Sequence, residues 1–380
     1  MNRAVPAGAR DRMSRDALNR ALLERQFLLR RRKLSVGDAV QRLVGLQAQT
    51  PRSPYLSLWT RLAPFSPEGL AALLRGRRAV RLSLMRSTIH LVTARDCLAL
   101  RPVLQSVMDR QLRHSSFGRN IAGVDVDALV DTGRRLLEEE PRTLADLGVA
   151  LRKRWPNRDG TSLAYAIRNL VPLVQIPPRG LWDTGGAAVH TTAEGWLGRP
   201  LDSNAAPDDM VLRYLAAFGP ATTRDVQNWS GLTRLQEVID RLRPRLRTFR
   251  DDDDRELFDL PRAPRPDAGT PAPPRFLPDF DNVVLGHADR SRIFPDDGSR
   301  AAGIGRPTVL VRGYVRATWE AAVRDGSATL TVAAFERLTR QDRSAVIDEG
   351  IRLLGFLSPD ARDREVRFTS NGASRNRSRA

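Results

Sequence analysis

The chain has 380 residues, 41% of them hydrophobic, which is enough for two or three domains with cores of their own, and it carries a formal charge of +18. Such an excess of fixed cations draws a protein toward a polyanion, because neutralising phosphates releases condensed counterions, so nucleic acid is the expected partner. The single cysteine, Cys97, excludes an intrachain disulfide and a cysteine-based zinc site, and fits a reducing cytoplasm. Only Lys33 and Lys153 among the 62 basic residues are lysines, a skew that a GC-rich genome gives by codon usage alone. No single arginine therefore argues for binding, whereas the net charge does, because 44 acidic residues fail to balance it. His90, His114, His190 and His287 lack metal-ligand spacing, so no histidine metal site is expected. The start "MNRAVPAGARDRMSRD" has no apolar signal segment, and no run of about 18 apolar residues occurs, so a cytoplasmic protein is expected.

Residues 1–14 are polar and expected to be disordered. From there "ALNRALLERQFLLRRR" reads as a helix with Leu18, Leu22, Leu23 and Phe27 on one face. A second helix begins at Ser35 as N-cap, buries Val36, Ala39, Val40, Leu43 and Val44, and cannot pass Pro51. Ser66 caps a third, with Pro67 at its first position. "AVRLSLMRSTIHLVTA" alternates apolar and polar residues as a β-hairpin does, and three helices followed by a hairpin is the winged-helix arrangement, here 15–97.

The pattern recurs in outline over 98–198, with helices at about 94–114 and 125–139, then "TLADLGVALRKRWP", "TSLAYAIRNLV" and a hairpin from Leu173 to His190 that carries "PPRGLWDTGG". A third copy, 207–261, places a short helix capped by Thr223, a Ser230-Gly231 turn and a recognition helix before two strands that close a wing around Asp251–Asp254. Pro261 to Pro274 reads as a loop. The region 262–369 ends in a small antiparallel sheet with a covering helix, and 370–380 reads as a disordered tail. The expected fold is α+β and helix-rich, with tandem winged-helix motifs and a small C-terminal antiparallel sheet.

Within "GLQAQTP" two glutamines flank Ala48 where a helix must stop. In a helix, residues i and i+2 point about 200° apart. Both side chains face one cleft only if the chain has left helical geometry, which Pro51 favours in the residue before it. Two amides at a fraying helix end can simply be solvated. In a cleft, each offers a carbonyl acceptor and two N–H donors that orient a water and stabilise nearby positive charge, without a titrating base. That suits a leaving group already activated, such as a purine alkylated at a ring nitrogen.

At these residues the sequence resembles the winged-helix DNA glycosylases related to the azinomycin-resistance glycosylase. The resemblance rests on "LNRALLERQFLLRR", "DAVQRLVGLQAQTPRSPYLSLWTRL", "RLSLMRSTIHLVTA", "FGPATTRDVQNWSGL" and "FLPDFDNVVLGHADRSRI". It implies tandem winged helices around a DNA channel and excision of alkylated purines from double-stranded DNA without metal or cofactor. The family's motif of two glutamines around an apolar residue corresponds to Gln47-Ala48-Gln49. A sister branch has Asp in the last position; Gln49 stands there, as in the azinomycin-resistance branch. The resemblance gives Gln49 the positioning of the hydrolytic water and Gln47 a supporting contact.

Arg86 and His90 in the first hairpin, Arg179 and Trp182 in the second, and Arg224 and Arg234 around the third helix-turn-helix are candidate DNA contacts. Each has a plainer alternative: His90 as a core residue, Trp182 as packing, the arginines as surface. Asp279, Asp281 and Asp289 with Arg290 and Arg292 are expected to form an internal ion-pair network. With only Lys33, Lys153 and the N-terminus for amine chemistry, a monofunctional glycosylase that leaves an abasic site is expected, and it is expected to be a monomer. The alternatives are a winged-helix transcriptional regulator and a nonenzymatic lesion-binding protein.

Overall fold

A computed structural model describes residues 12–370. The first unit contains α1 (Arg15–Arg25), α2 (Val36–Arg42), β1 (Leu46–Gln47), α3 (Ser53–Trp59), α4 (Pro67–Arg75), β2 (Ala79–Ser83) and β3 (Ile89–Thr93). Ser35 Oγ accepts from Asp38 N and Ser66 Oγ from Glu68 N, so both expected caps hold free helix-start donors. α1 is shorter than its apolar pattern, because the chain leaves helical geometry at Phe27 with φ 59°. α2 ends the same way, at Val44 (φ 57°) and Gly45 (φ 86°). A Cβ on Gly45 would stand 2.6 Å from the Val92 side chain, so only glycine fits where α2 turns into β1. α3 was not expected; Pro54 sits in its first turn, where a missing N–H costs nothing.

Next come α5 (Ala94–Val103), α6 (Gln105–His114), α7 (Ser116–Asn120), α8 (Val126–Glu139), β4 (Arg142–Thr143), α9 (Leu144–Arg152), α10 (Gly160–Leu170), β5 (Leu173–Gln175), β6 (Val189–Thr192) and α11 (Ala193–Leu197). The hairpin expected from Leu173 to His190 exists only as these two strands. The "PPRGLWDTGG" stretch lies in the connection 176–188, which contains no strand.

The first two hairpins are not separate wings. One sheet of order β1-β3-β2-β5-β6-β4 holds both, joined where Arg81 pairs with Gln175 and Leu82 with Val174. β2 is consequently buried along its whole length: Val80 and Leu82 pack into one core with Val174, Tyr214 and Trp229, while Ala79 packs into another with Leu46, Tyr55 and Leu91.

The third unit is α12 (Pro207–Phe218), α13 (Thr223–Ser230), α14 (Gln236–Leu242), β7 (Arg247–Arg250) and β8 (Glu256–Asp259), with β7 and β8 as a separate two-stranded sheet. Its cap is Thr222 rather than Thr223, because Thr222 and Asp225 form a reciprocal capping box. Gly231 ends α13 at φ 84°, as the expected turn requires.

The C-terminal part contains β9 (Arg275–Leu277), α15 (Asn282–Leu285), α16 (Asp297–Gly303), β10 (Thr308–Val311), β11 (Tyr314–Arg324), β12 (Ser327–Ala334), α17 (Arg340–Leu357) and β13 (Asp363–Ser370). Its five-stranded sheet runs β13-β12-β11-β10-β9 and is not wholly antiparallel. β12 and β13 pair in parallel, which the α17 crossover between them makes possible. The start is ordered earlier than expected: Met13 N donates to Arg250 O at 2.8 Å, and Ser14 caps α1. The remainder of the expected disordered start, 1–11, and the tail residues 371–380 lie outside the described residues. No helix among the described residues is long and apolar enough to cross a membrane.

Candidate active site

β1 forms because the chain, turned by Val44 and Gly45, reaches the edge of the hairpin and pairs antiparallel with β3, Leu46 against Leu91 and Gln47 against His90. Successive side chains of extended backbone point to opposite faces. Leu46 and Ala48 enter one apolar core, and the glutamines at 47 and 49 alternate with them. β1 ends at Gln47, and Gln49 lies in the bend that follows, so the chain has left helical geometry before both amides.

Both amides are fixed through their carbonyls. Gln47 is buried, and its Oε1 accepts from Arg86 Nη2 at 2.8 Å. Gln49 is exposed, and its Oε1 accepts from the backbone N–H of Ile89 at 2.9 Å. Each oxygen keeps a second lone pair and each nitrogen two hydrogens for a bound molecule. Among the described residues neither glutamine hydrogen-bonds a carboxylate.

Arg86 occupies the tight turn between β2 and β3 at φ 55°, and its other terminal nitrogen donates to the Trp229 carbonyl at the end of α13. Burial, followed by the charge of Arg290, pushes its guanidinium down to about 10, so it remains charged at neutral pH. Arg86 therefore ties the third unit to Gln47. His90 is a different case. It is buried opposite Gln47, Nδ1 lies 2.9 Å from Thr88 O, and burial, then the Arg86 charge, pushes its pKa down to about 3. It is a neutral core residue.

The "DFDN" stretch braces the segment from behind. Asp279 accepts from Thr50 Oγ1 at 2.7 Å and from Ser53 Oγ. Asp281 takes both terminal nitrogens of Arg61, at 2.9 and 2.6 Å, and the Ser57 hydroxyl at 2.9 Å, with both ionic side chains wholly buried. Asn282 Nδ2 donates to Gly45 O at 2.9 Å. The expected network among neighbours in sequence is corrected: Asp281 pairs with Arg61, Asp289 with Arg255 at 2.6 Å, and Arg292 donates to the Pro220 carbonyl. Partners come from other elements because residues adjacent on a sharply turning loop point apart.

The other candidates do not converge on the glutamines. Arg179 lies in the 176–188 connection and donates to Gly186 O at 2.6 Å. Trp182 packs with its ring centroid 5.0 Å from those of both Tyr55 and Phe356. Arg224 and Arg234 are exposed, at the start of α13 and between α13 and α14. A cavity of about 930 Å³ lined by Glu24, Arg25, Lys33, Arg42 and Arg213 contains neither glutamine, and its buried cation Arg25 is paired with Asp259. Sequence reasoning missed Arg61, in the turn after α3, and Arg81, on β2, because neither position signals what the side chain reaches.

The solved structure of Streptomyces sahachiroi DNA glycosylase AlkZ matches this fold with a TM-score of 0.72 over 93% of this chain and 99% of that one, at 22% identity. A curated relative from the same organism, an interstrand DNA cross-link repair glycosylase, is 27% identical over 330 residues, 78% of this chain and 85% of its own. The architecture is thus that of a DNA glycosylase. The family model described as DNA glycosylase AlkZ-like matches residues 40–356, and the chain belongs to that family. DNA is accordingly its partner.

Proposed function

We propose that this protein is a monofunctional glycosylase that hydrolyses the N-glycosidic bond of N-alkylated purines in double-stranded DNA, N7-alkyl guanine first among them. The observation that carries the reading is the pair of amides two residues apart, each oriented through its carbonyl, with no carboxylate bonded to either among the described residues. An N7-alkylated purine is cationic, so its departure needs no general acid, and the strained step is the capture of oxocarbenium character at the sugar. Gln49, exposed and held by Ile89 N–H, positions the attacking water through its free amide hydrogens and second lone pair. Gln47, held by Arg86, supports the same water or the sugar. The role is orientation and dipole stabilisation rather than proton abstraction.

Bulky or cross-linked adducts belong to this reading because the curated relative is named for interstrand cross-link repair. Repair and self-resistance to a DNA-alkylating natural product use the same chemistry. The duplex is held in a channel of the helical units, with Arg179, Arg224 and Arg234 at the phosphates, Arg86 set back to hold Gln47, and Trp182 supporting the second hairpin's connection. No cofactor takes part, and a monomer suffices. The family places the chain with enzymes, which disfavours the regulator alternative.

The test is incubation with duplex DNA carrying N7-methylguanine, with alkaline cleavage to reveal abasic sites and borohydride to trap a Schiff base. Free base, alkali-dependent breaks and no trapped adduct are expected. A trapped adduct would show lyase chemistry. Tight lesion binding without release, from this substrate and from a bulky N7 adduct, would make the protein a nonenzymatic binder.

A further inference from the structure

The backbone on either side of Gln49 does not follow the sheet. Ala48 N donates to Ile89 O at 2.7 Å, as an antiparallel pair should. The reciprocal bond from Ile89 N to Ala48 O is replaced: Ile89 N donates instead to the Gln49 side chain at 2.9 Å. The displaced Ala48 carbonyl accepts from Arg81 Nη2 at 2.8 Å. Arg81 belongs to β2, two strands away, and reaches Ala48 past Leu91, its partner in register.

Arg81 is an unusual residue for this place. It is 2% exposed, and its Nε and Nη1 have no hydrogen-bond partner among the described residues. Burial, then the charge of Arg179, lowers its pKa to about 10, so it stays a cation at neutral pH. No carboxylate pairs with it among the described residues. A buried, unpaired charge is costly, and an apolar side chain would fill this space without that cost. The surroundings are shaped for it nonetheless. Gly180, at φ 93°, lies over its stem where an added Cβ would come within 2.6 Å of Arg81 Cδ, and Tyr55 Oη holds the Gly180 carbonyl at 2.9 Å.

We propose that Arg81 is a positioning residue for Gln49: by capturing the Ala48 carbonyl it turns the Ala48–Gln49 peptide out of the ladder, which frees Ile89 N–H to fix the Gln49 amide. The residue acts through Gln49 and touches neither DNA nor the reacting atoms. The inference rests on the catalytic reading of Gln49 given above.

The test compares wild type, Arg81→Met, Gln49→Ala and the double variant in single-turnover base release, together with DNA affinity and a crystal structure of Arg81→Met. Arg81→Met is expected to slow release about tenfold or more, and the double variant to be no slower than Gln49→Ala, because residues acting as one unit are not additive. DNA affinity is expected to stay within about twofold, since the guanidinium is shielded from phosphates. The crystal structure is expected to show Gln49 Oε1 displaced from Ile89 N–H. A wild-type rate in Arg81→Met, full additivity, or an undisturbed Gln49 overturns the proposal. Should Gln49→Ala keep the wild-type rate, the catalytic reading fails, while the crystal structure still decides the positioning. If Arg81→Met does not fold, Arg81→Lys enters the comparison with its crystal structure: release is expected to follow whether the ammonium still holds the Ala48 carbonyl, and a rate that does not follow that contact overturns the proposal.

Discussion

Gln47 and Gln49 do not change charge with pH, and the histidine beside them is pushed down to about 3 by burial and by Arg86. The single-turnover rate of base release is therefore expected to be flat from about pH 5 to 8 while the protein stays folded. A tenfold fall per unit toward acid would expose a missed carboxylate, and Asp279, bonded to Thr50 next to Gln49, would be the one to replace. Stability behaves differently from rate. His90, His190 and His287 have pKa values lowered to about 3, 4 and 3, chiefly by burial. They stay neutral in the fold while the unfolded chain takes up protons below about pH 6.5. Their contribution to stability is complete above that pH and is lost as pH falls toward 4. Thermal unfolding followed from pH 7 to 4.5 should show a falling Tm; a level profile would mean these rings are protonated in the fold. At this scale the departure from helix before the two glutamines was legible, although it comes at Val44 and Gly45, earlier than Pro51 requires. Arg81 was not, since alternation along a strand reveals which side faces inward but not what a long side chain reaches two strands away.

Helix starts were read well from local chemistry, because a serine whose hydroxyl accepts a free N–H leaves its mark within three residues. The shift from Thr223 to Thr222 shows the limit of that reading, since adjacent threonines compete and the capping box with Asp225 decides. α3, not among the expected helices, opens with Pro54 in its first turn, where a proline is harmless. Yet α3 carries Ser53 and Ser57, and Arg61 follows it, all bonded to the aspartates of the loop before α15. Replacing Asp281 by Ala leaves Arg61 buried without its counter-charge and is expected to cost about 3–5 kcal/mol in denaturant unfolding. Replacing Glu139, in the exposed pair with Arg135, should cost less than about 1 kcal/mol. Equal effects from the two would contradict the bracing role of the "DFDN" loop.

For the whole molecule, the charge, the helical units and the C-terminal sheet with its covering helix were visible in the sequence. The merging of two hairpins into one sheet was not. Pairing of Leu82 with Val174 joins residues far apart in the chain, and each strand taken alone reads as an ordinary wing. That merged sheet supports β1 at its edge, Gln49 just beyond it is exposed, and Arg86 links Gln47 to the third unit. The most direct measurement is the single-turnover rate of N7-methylguanine release by wild type and Gln49→Ala at saturating protein, with DNA affinity determined alongside. The account predicts a rate at least about 100-fold lower in the variant, the scale of losing a positioned catalytic dipole, with affinity nearly unchanged. An unchanged rate would contradict it and move the water-positioning role to another residue.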